Sequence, residues 1–420
     1  MLLFLAAILA AVVANSSLSP VYQDFLLQEL HLRIGNFNLF SHGGHPLKMI
    51  EFINDCLMTV FFLAVGLEIK RELLVGELSS VRKAALPFIA ACGGMVVPVV
   101  IYALSVASGT PETRGMAIPM ATDIAFSLGV LSLLGKRVPL SLKIFLTAFA
   151  VVDDIGGILV IALFYSADVA YGYLIAAAVL YVFLYYMGKF GVTQKIFFLF
   201  FGVIIWYLFL QSGIHSTISG VILAFVIPAR PRLDVGKYIE RIRDIIGEFP
   251  VSKSDNIVLT NAQIATLKQV ERASDYVISP LQSLEDNLHG AVSFVILPLF
   301  AFANAGVVFS GSGSIVGDVS IAVAAGLLLG KFLGVYLFTW LAVKSGVALM
   351  PAGMNWKNIA GVSLLGGIGF TVSLFIANLS FADEYPELLN QAKFGVLVGT
   401  VLAGVLGYVV LNWVLPKREK

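Results

Sequence analysis

Long apolar runs separated by short polar connections make up most of this 420-residue chain. A membrane-spanning helix needs about 20 mostly apolar residues, and about twelve runs approach or exceed that length. The runs are continuous and do not alternate, so the pattern predicts helices and not the strands of a membrane barrel. The predicted spans are Met1–Ala14, Ile50–Leu67, Ala84–Val106, Gly115–Leu134, Ile144–Tyr165, Tyr173–Met187, Ile196–Leu210, Gly213–Ile227, Ala291–Phe309, Ile321–Val343, Ile359–Ala377 and Phe394–Val414.

The first predicted span, Met1–Ala14, is shorter than a full membrane crossing. A cleaved signal peptide begins with a basic segment and ends at a small-residue cleavage site, and neither feature is clear here. We therefore expect a first membrane helix whose start is missing. The whole chain, 1–420, is predicted to be one membrane domain.

A polar segment at 28–45 separates the first two spans. Within it, Leu32 to Leu39 alternate between apolar and polar residues around Gly35-Asn36, which predicts a hairpin on the outer face. Two interpretations stay open. The hairpin is either a surface loop or, through 31–40, an edge strand that pairs with a second copy to form a homodimer.

A longer hydrophilic insert, 230–288, lies between the eighth and ninth spans. Thr260-Asn-Ala-Gln263 has the spacing of a capping box. The apolar residues from Ile264 to Leu284 then follow an approximately helical period, which predicts an amphipathic helix. A short helix around Tyr238–Ile246 is expected before it. We expect the insert to be a solvated linker resting on the helical bundle.

Lys and Arg residues are distributed unevenly over these connections. They concentrate in the even-numbered connections and the C-terminal tail, whereas the odd-numbered connections hold Arg33, Lys48, Arg114 and Lys393. Cytoplasmic loops of membrane proteins carry the excess of positive charge. The asymmetry therefore predicts that both termini lie in the cytoplasm.

Composition agrees with a membrane protein. Hydrophobic residues make up 59% of the chain, charged residues 13%, and the mean hydropathy is +0.92. Soluble domains carry about 25% charged residues, so a water-facing globular fold and a disordered chain are both excluded. A net charge of +1 offers no basic surface for nucleic acid. Cys56 and Cys92 have neither a disulfide framework nor metal-ligand spacing.

Ionisable residues nevertheless occur deep within the spans, at Asp123, Asp153, Asp154 and Lys331. Each costs about 2.5–3.5 kcal/mol at the membrane centre, so they must pair, protonate or line a water-filled cavity. A buried ion pair is an insufficient explanation, because one lysine cannot neutralise three aspartates. Asp153 and Asp154 are adjacent and diverge by about 100° on a helix, so one can face a cation while the other faces Lys331.

Two spans are predicted to be broken. Pro119 removes a backbone donor shortly before Thr122-Asp123, and Gly366-Gly-Ile-Gly369 is a poor helix interior. Such interruptions indicate the midplane site of a transporter, although close helix packing also explains glycines. A carboxylate suits the N-termini of half-helices and an ammonium suits their C-termini. Asp123 and Lys331 are available for these two positions.

The sequence resembles the NhaA family of sodium/proton antiporters. The resemblance extends from about residue 5 to about residue 415, in the order of the family's motifs. The matching segments are Phe61-Phe-Leu-Ala-Val-Gly-Leu-Glu-Ile-Lys-Arg-Glu72, Ala121-Thr-Asp-Ile-Ala-Phe-Ser-Leu-Gly129, Val152-Asp-Asp-Ile-Gly156, Ser212-Gly-Ile-His-Ser216, Leu297-Pro-Leu-Phe-Ala-Phe-Ala-Asn-Ala-Gly306 and Gly367-Ile-Gly-Phe-Thr371.

The resemblance implies an all-α polytopic membrane protein of twelve helices. Spans three to five and ten to twelve would form inverted repeats, and the broken fourth and eleventh spans would cross at the midplane. In such proteins the aspartate pair binds Na⁺ or Li⁺ and exchanges it for protons. Asp153 and Asp154 occupy those positions, and Thr122, Asp123 and Lys331 occupy others around the crossing. The broken-helix glycines are Gly366, Gly367 and Gly369.

Six further residues occupy positions that the family links to cation access or pH response: Glu68, Arg71, Glu72, His215, Glu285 and His289. The match around Glu285 and His289 is looser. The sequence also departs from the family in lacking an N-terminal tail and in having a longer cytoplasmic insert.

The expected function is electrogenic exchange of cytoplasmic Na⁺ or Li⁺ for external H⁺, at two protons per Na⁺. We expect activation at alkaline pH, because protons compete with the metal ion for the same carboxylate oxygens. Transport would serve Na⁺ extrusion and pH homeostasis in a bacterial inner membrane. We expect a transporter and no enzyme, with no cofactor; its partners would be the transported ions and membrane lipid, with no nucleic acid.

Two other classes of membrane protein fit the sequence less well. An intramembrane aspartyl protease needs two facing aspartates, which the adjacent Asp153 and Asp154 do not supply, although Asp123 with Asp153 is conceivable. A passive cation channel would show no coupling to protons.

Overall fold

The structure, a computed structural model of the chain, is built almost entirely of helices. It describes residues 2–31, 33–34, 37–38, 40–42, 45–165, 169–230, 235–247, 249, 258–309, 314–382 and 384–416. The α-helices are α1 Leu2–Ala14, α2 Ser19–Leu27, α3 Met49–Phe52, α4 Met58–Val75, α5 Val81–Ser105, α6 Ile124–Ser132, α7 Leu140–Phe164, α8 Tyr171–Lys189, α9 Lys195–Leu210, α10 Thr217–Val226, α11 Val235–Gly247, α12 Asn261–Val277, α13 Pro280–Ala291, α14 Leu297–Asn304, α15 Asp318–Ala325, α16 Lys331–Lys344, α17 Trp356–Leu365, α18 Phe370–Phe381 and α19 Pro386–Val414.

Shorter helical turns connect several of these helices. Three are 3₁₀-helical, at Glu77–Ser79, Pro111–Met120 and Gly135–Arg137. Three others are π-helical turns, which lie within membrane-spanning helices and join α3 to α4, α13 to α14 and α15 to α16: Ile53–Leu57, Val292–Ile296 and Gly326–Gly330.

The predicted spans correspond to helices of the structure. Seven continuous helices in the described residues are long and apolar enough to cross a membrane, three pairs of helices meet the same criterion only when each pair is taken together, and α9 and α10 are shorter apolar helices. The bent pairs are α1 with α2, at 112°, and two pairs at 44°, Pro111–Met120 with α6 and α17 with α18. The all-α polytopic fold with a broken fourth and a broken eleventh span is therefore confirmed.

The two sets of spans predicted to be inverted repeats have the same order of continuous and broken helices. Spans three to five are the long helix α5, a broken span and the long helix α7. Spans ten to twelve are the continuous helix Asp318–Lys344, a broken span and the long helix α19. Each broken span thus lies between two continuous ones.

Close helix crossings depend on glycines at particular positions. A Cβ added at Gly93 of α5 would meet the carbonyl oxygen of Gly334 in α16, and one added at Gly334 would meet that of Gly93. Gly220 of α10 likewise lies against the backbone of Thr59 in α4. Small residues let membrane helices approach closely, so span three is held against span ten and span two against span eight.

A smaller apolar core joins α8, α9 and α10 to the rest of the molecule. Leu184, Phe198 and Leu223 are buried in it together with Leu67 of α4 and Leu284 of α13. The main core contains the remaining spans. Because α4 and α13 contact both cores, they lie where the two groups of helices meet.

The hydrophilic insert differs from the prediction in one respect. Apolar residues from Ile264 to Leu284 were expected to form one helix, but α12 ends at Val277 and α13 begins at Pro280. Proline cannot continue a helix, since it lacks the backbone donor, yet it suits the first helical turn. Ser279 caps the new helix by accepting a hydrogen bond from the Gln282 amide at 3.2 Å. The ninth span therefore begins at Pro280, well before the predicted Ala291.

Other parts of the insert have the predicted local structure. The Thr260 amide donates to Gln263 Oε1 at 2.9 Å, and the Gln263 amide donates to Thr260 Oγ1 at 3.3 Å, which is a reciprocal capping box. The helix α11, Val235–Gly247, contains the segment Tyr238–Ile246. Residues 231–234, 248 and 250–257 of the insert lie outside the described residues.

Two short hairpins precede the second span. Strand β1, Arg33–Ile34, pairs antiparallel with β2, Phe37–Asn38, so that Ile34 opposes Phe37 across Gly35-Asn36. Those two turn residues lie outside the described residues. A second hairpin pairs β3, Ser41–His42, with β4, His45–Pro46, and was not predicted.

Candidate functional site: a crossing of two broken helices

The breaks in the two interrupted spans contact each other. The Asp123 amide donates to the carbonyl oxygen of Ile368 at 2.6 Å, and Thr122 Oγ1 donates to that of Gly366 at 2.8 Å. A backbone that leaves the helical conformation inside a membrane needs other partners for its polar groups. Each broken span supplies such partners to the other, and both breaks are buried.

The Asp123 side chain lies at two helix N-termini. Its Oδ1 accepts from the Phe126 amide at 2.9 Å and caps α6. Its Oδ2 accepts from Thr371 Oγ1 at 2.6 Å and from the Thr371 amide at 3.2 Å, at the start of α18. The positive ends of both helix dipoles therefore face one carboxylate. This is the position that the sequence suggested for Asp123.

Asp153 and Lys331 form a buried ion pair. Lys331 Nζ lies 2.5 Å from Asp153 Oδ2, and both side chains are fully buried. The ring of Phe149, one helical turn before Asp153, lies 5.8 Å from the ammonium. The sequence offered Lys331 two places, at the C-termini of the half-helices or facing one of the two adjacent aspartates. In the structure its hydrogen bond goes to Asp153.

Asp154 points elsewhere, as the 100° divergence predicts. It lines a cavity of about 290 Å³ together with Thr122, Asp123 and Thr371. Asp154 is 5% exposed, and among the described residues its buried Oδ1 has no hydrogen-bond partner. These four residues bring two carboxylates and two hydroxyls to the cavity wall, and such groups are oxygen ligands of the kind that alkali-metal ions prefer.

Four of the residues assigned to access or pH response line the same cavity: Glu68, Arg71, Glu285 and His289. Arg71 Nε donates to Glu285 Oε1 at 2.9 Å, and its Nη1 lies 3.0 Å from Oε1 of Glu72. Glu72 is buried, and its Oε2 also accepts from the Glu77 amide at 3.0 Å. The structure therefore connects these residues of α4 and α13 to the cavity that holds Asp154.

His215 lies in a different place. Its Nε2 is 3.4 Å from Asp55 Oδ1, and its ring packs edge-on against Phe375. Both His215 and Asp55 line a second cavity, of about 650 Å³. Asp55 and Glu68 belong to the same span and are thirteen positions apart, which corresponds to about 20 Å along a helix. The sequence grouped His215 with Glu68, but the structure places them in two cavities near opposite ends of span two.

A chain of asparagine side chains borders the second cavity and was missed in the sequence. Asn304 Nδ2 donates to Asn54 Oδ1 at 2.8 Å, and Asn378 Nδ2 donates to Asn304 Oδ1 at 2.8 Å. These bonds connect spans two, nine and eleven. The available signal was the presence of asparagine within three apolar runs, since polar side chains there usually bond to a neighbouring helix.

The broken-helix glycines fit both explanations that the sequence offered, interruption of the helix and close packing of neighbouring helices. A Cβ at Gly367 would meet the Leu327 carbonyl oxygen, one at Gly366 would meet the ring of Phe149, and one at Gly369 would meet Ser373 and Leu327. They lie at a helix break and also permit close packing there.

Membrane helices whose two broken spans cross, with acidic groups in a buried cavity at the crossing, define the class of secondary transporters. A family profile described as "Na+/H+ antiporter 1" matches residues 1–411. The chain is 76% identical over 418 residues to the "Na(+)/H(+) antiporter NhaA" of Bacteroides fragilis, with 100% of this chain and 96% of the relative covered.

Two further relatives with the same name are similar over their length. That of Bacteroides thetaiotaomicron is 75% identical over 419 residues, covering 100% of this chain and 95% of the relative. That of Phocaeicola vulgatus is 61% identical over 420 residues, covering 100% and 94%. The chain belongs to the NhaA family of sodium/proton antiporters, as its sequence motifs predicted.

Proposed function

We propose that this protein exchanges Na⁺ for H⁺ across the membrane, using Asp154 and Asp153 as the exchanging groups. The observation that carries the proposal is the different setting of the two carboxylates. Asp153 is paired with Lys331, whereas Asp154 borders the 290 Å³ cavity and forms no ion pair with any of the described residues. An unpaired carboxylate in a buried site favours binding either a proton or a cation.

Exchange follows from competition at these oxygens. When Na⁺ binds in the cavity, the proton on Asp154 leaves, because the same oxygens become metal ligands. When Na⁺ departs, a proton restores neutrality before the site faces the other side. A carboxylate site that changes the membrane face to which it opens only when Na⁺ or H⁺ is bound couples the two fluxes.

A second proton is proposed to move through the Asp153–Lys331 pair. If Asp153 also turns toward the cation, its bond to Lys331 breaks, and the isolated ammonium becomes costly in the buried site. Loss of a proton from Lys331 removes that cost. Two protons would then move for each Na⁺, which makes transport electrogenic, and Li⁺ would compete for the same oxygen ligands.

The pH response is proposed to arise from the same competition. Abundant protons keep the carboxylates occupied, so activity rises with alkalinity. Glu68, Arg71, Glu72, Glu285 and His289 support this proposal because they connect the cavity to one end of span two. We place that end, the insert at 230–288 and both termini in the cytoplasm of a bacterium, with the protein in its inner membrane. Pairing of two copies through 31–40 stays a prediction.

The settings of the other aspartates do not favour a protease. Asp123 is engaged by two helix N-termini, and Asp153 is engaged by Lys331. A protease needs two carboxylates that act on one water, and each of these two has a partner of its own instead.

Proton flux in proteoliposomes tests the assignment. A pulse of Na⁺ or Li⁺, but not K⁺, should change the internal pH of vesicles that contain the protein. Asp154→Asn should abolish this response, because the amide cannot exchange a proton for a cation. Asp244→Asn in the exposed face of α11 is the matched control and should retain normal flux. Normal Na⁺-driven flux in Asp154→Asn would refute the assignment, and flux without proton coupling would indicate a channel.

A further inference from the structure

The helix α11 in the hydrophilic insert has a strongly amphipathic register that the transport proposal does not use. Taking Ile242 as the centre, the apolar residues fall within about 60° to either side at 100° per residue. They are Val235, Tyr238, Ile239, Ile242, Ile245 and Ile246. A stripe of this width normally faces an apolar surface.

Part of that stripe is uncovered, while Tyr238, Ile242 and Ile245 are half-buried. Ile239 is 52% exposed and Ile246 is 60% exposed, although α11 packs beside α12. The neighbouring helix extends the apolar surface, since its Leu267 is 45% exposed. Together, α11 and α12 present apolar side chains that the described part of the bundle does not cover.

α11 carries five charged residues, and none lies in the stripe. Lys237 lies about 140° from Ile242, and the other four are sorted by their distance from the stripe. Arg241 and Arg243 lie about 100° to either side of Ile242, at the two boundaries between apolar and polar surface. Glu240 and Asp244 lie about 160° from Ile242, on the far side. All four of these side chains are exposed. Arginines at the boundary suit anionic headgroups, because their long side chains extend from the apolar stripe toward the headgroup layer. The carboxylates on the far side remain in water.

Both ends of the helical pair are attached to the membrane domain. Span eight ends at Val226, and α11 begins at Val235, so the eight connecting residues reach at most about 28 Å. At the other end, α12 stops at Val277, and span nine begins at Pro280. The apolar stripe is therefore restrained close to the membrane surface from which these spans emerge.

We propose that α11 lies on the cytoplasmic surface of the bilayer, with its isoleucines among the acyl chains and Arg241 and Arg243 on the phosphates of anionic lipids. The proposal rests on the cytoplasmic placement of the insert and not on the transport mechanism. A lipid surface fits better than water, which would leave the isoleucine stripe exposed.

Hydrogen–deuterium exchange on the reconstituted, unaltered protein tests the proposal. We expect the amides of α11 to exchange at least tenfold more slowly in bilayers containing phosphatidylglycerol than in detergent, with weaker protection in pure phosphatidylcholine. Arg241→Gln with Arg243→Gln should remove the difference between the two lipids. Glu240→Gln with Asp244→Asn changes the same number of charges on the opposite face and should preserve it. Equal exchange in phosphatidylglycerol and in detergent would overturn the proposal.

A depth measurement separates lipid from a protein partner. Spin labels are placed at Ile246→Cys, Ile239→Cys or Asp244→Cys, with Cys56 and Cys92 replaced by alanine. We expect labels at 246 and 239 to collide more with oxygen than with a water-soluble nickel complex, and the label at 244 to show the reverse. Labels at 246 and 239 that are shielded from both reagents would indicate burial against protein and contradict a lipid surface. Na⁺-driven flux in the same vesicles shows separately whether transport operates.

Discussion

At the scale of residues, two adjacent aspartates acquire different surroundings from their angle about α7. Asp153 faces span ten and is held by Lys331, while Asp154 faces the crossing of the broken spans. The sequence predicted this division, because neighbouring helical side chains diverge by about 100°. The angle alone does not fix which aspartate takes the lysine, since that choice depends on how α7 is rotated against α16.

The Asp153–Lys331 pair should have a large effect on stability only when one partner is removed. Asp153→Asn leaves a buried ammonium without its counter-ion, and we expect a loss of about 3–5 kcal/mol. Combining it with Lys331→Met removes both charges and should recover most of that loss. Thermal unfolding of the purified protein measures both effects. A double variant as unstable as the two single changes added together would contradict this account.

The hydroxyl of Thr371 should contribute to the crossing through its bond to Asp123. Thr371→Val removes a 2.6 Å hydrogen bond to a carboxylate, and we expect a loss of about 1.5–3 kcal/mol. Thr371→Ser retains the hydroxyl and serves as the control. Thermal unfolding should therefore separate valine from serine; equal melting temperatures for the two variants would show that the bond contributes little.

At the scale of elements, the sequence located the break of span eleven, at Gly366–Gly369, more closely than the break of span four. Pro119 was expected to disrupt span four, but Pro111–Met120 forms a 3₁₀-helix that includes it, and the chain turns at 121–123 instead. The turn occurs where the chain exchanges hydrogen bonds with span eleven. Such partners are distant in sequence, so local propensity does not reveal them. The three π-helical turns were missed for the same reason, because tertiary packing stabilises them.

Glycine substitutions should show which of these elements need close approach. Gly367→Ala would place a methyl group against the Leu327 carbonyl, and we expect a loss of about 1–3 kcal/mol from overpacking. Gly129→Ala in α6 is the matched control, since a Cβ there meets nothing within 4 Å. It should be neutral or stabilising by up to about 1 kcal/mol. A Gly367→Ala protein that melts like the Gly129→Ala control would rule out the close contact.

At the scale of the whole molecule, the two cavities separate groups that the sequence had placed together. Glu68 lies in the cavity that reaches Asp154, whereas His215 lies in the other with Asp55. No local pattern distinguishes these locations, because each residue lies in its own motif. Only the packing of spans two, eight and eleven assigns each residue to its cavity.

The separation predicts different pH profiles for two variants. Glu68→Gln removes a negative charge that helps retain protons on neighbouring carboxylates, so the activity profile should move to lower pH, by up to about one unit. His215→Ala should alter the dependence on pH at the opposite membrane face. Both should retain transport. Proton flux in oriented vesicles, with the pH of each face varied separately, measures the two effects, and unchanged profiles would remove both residues from the pH response.

Lys331 is the first residue after the π-helical turn Gly326–Gly330. Such a turn accommodates one residue more than an α-helical turn, so the side chains that follow are rotated by about 100° compared with an uninterrupted helix. Deleting one residue from this turn would preserve every charged group, yet carry the ammonium away from Asp153. During the evolution of this lineage, the length of span ten should therefore have been as strongly constrained as the identity of its lysine.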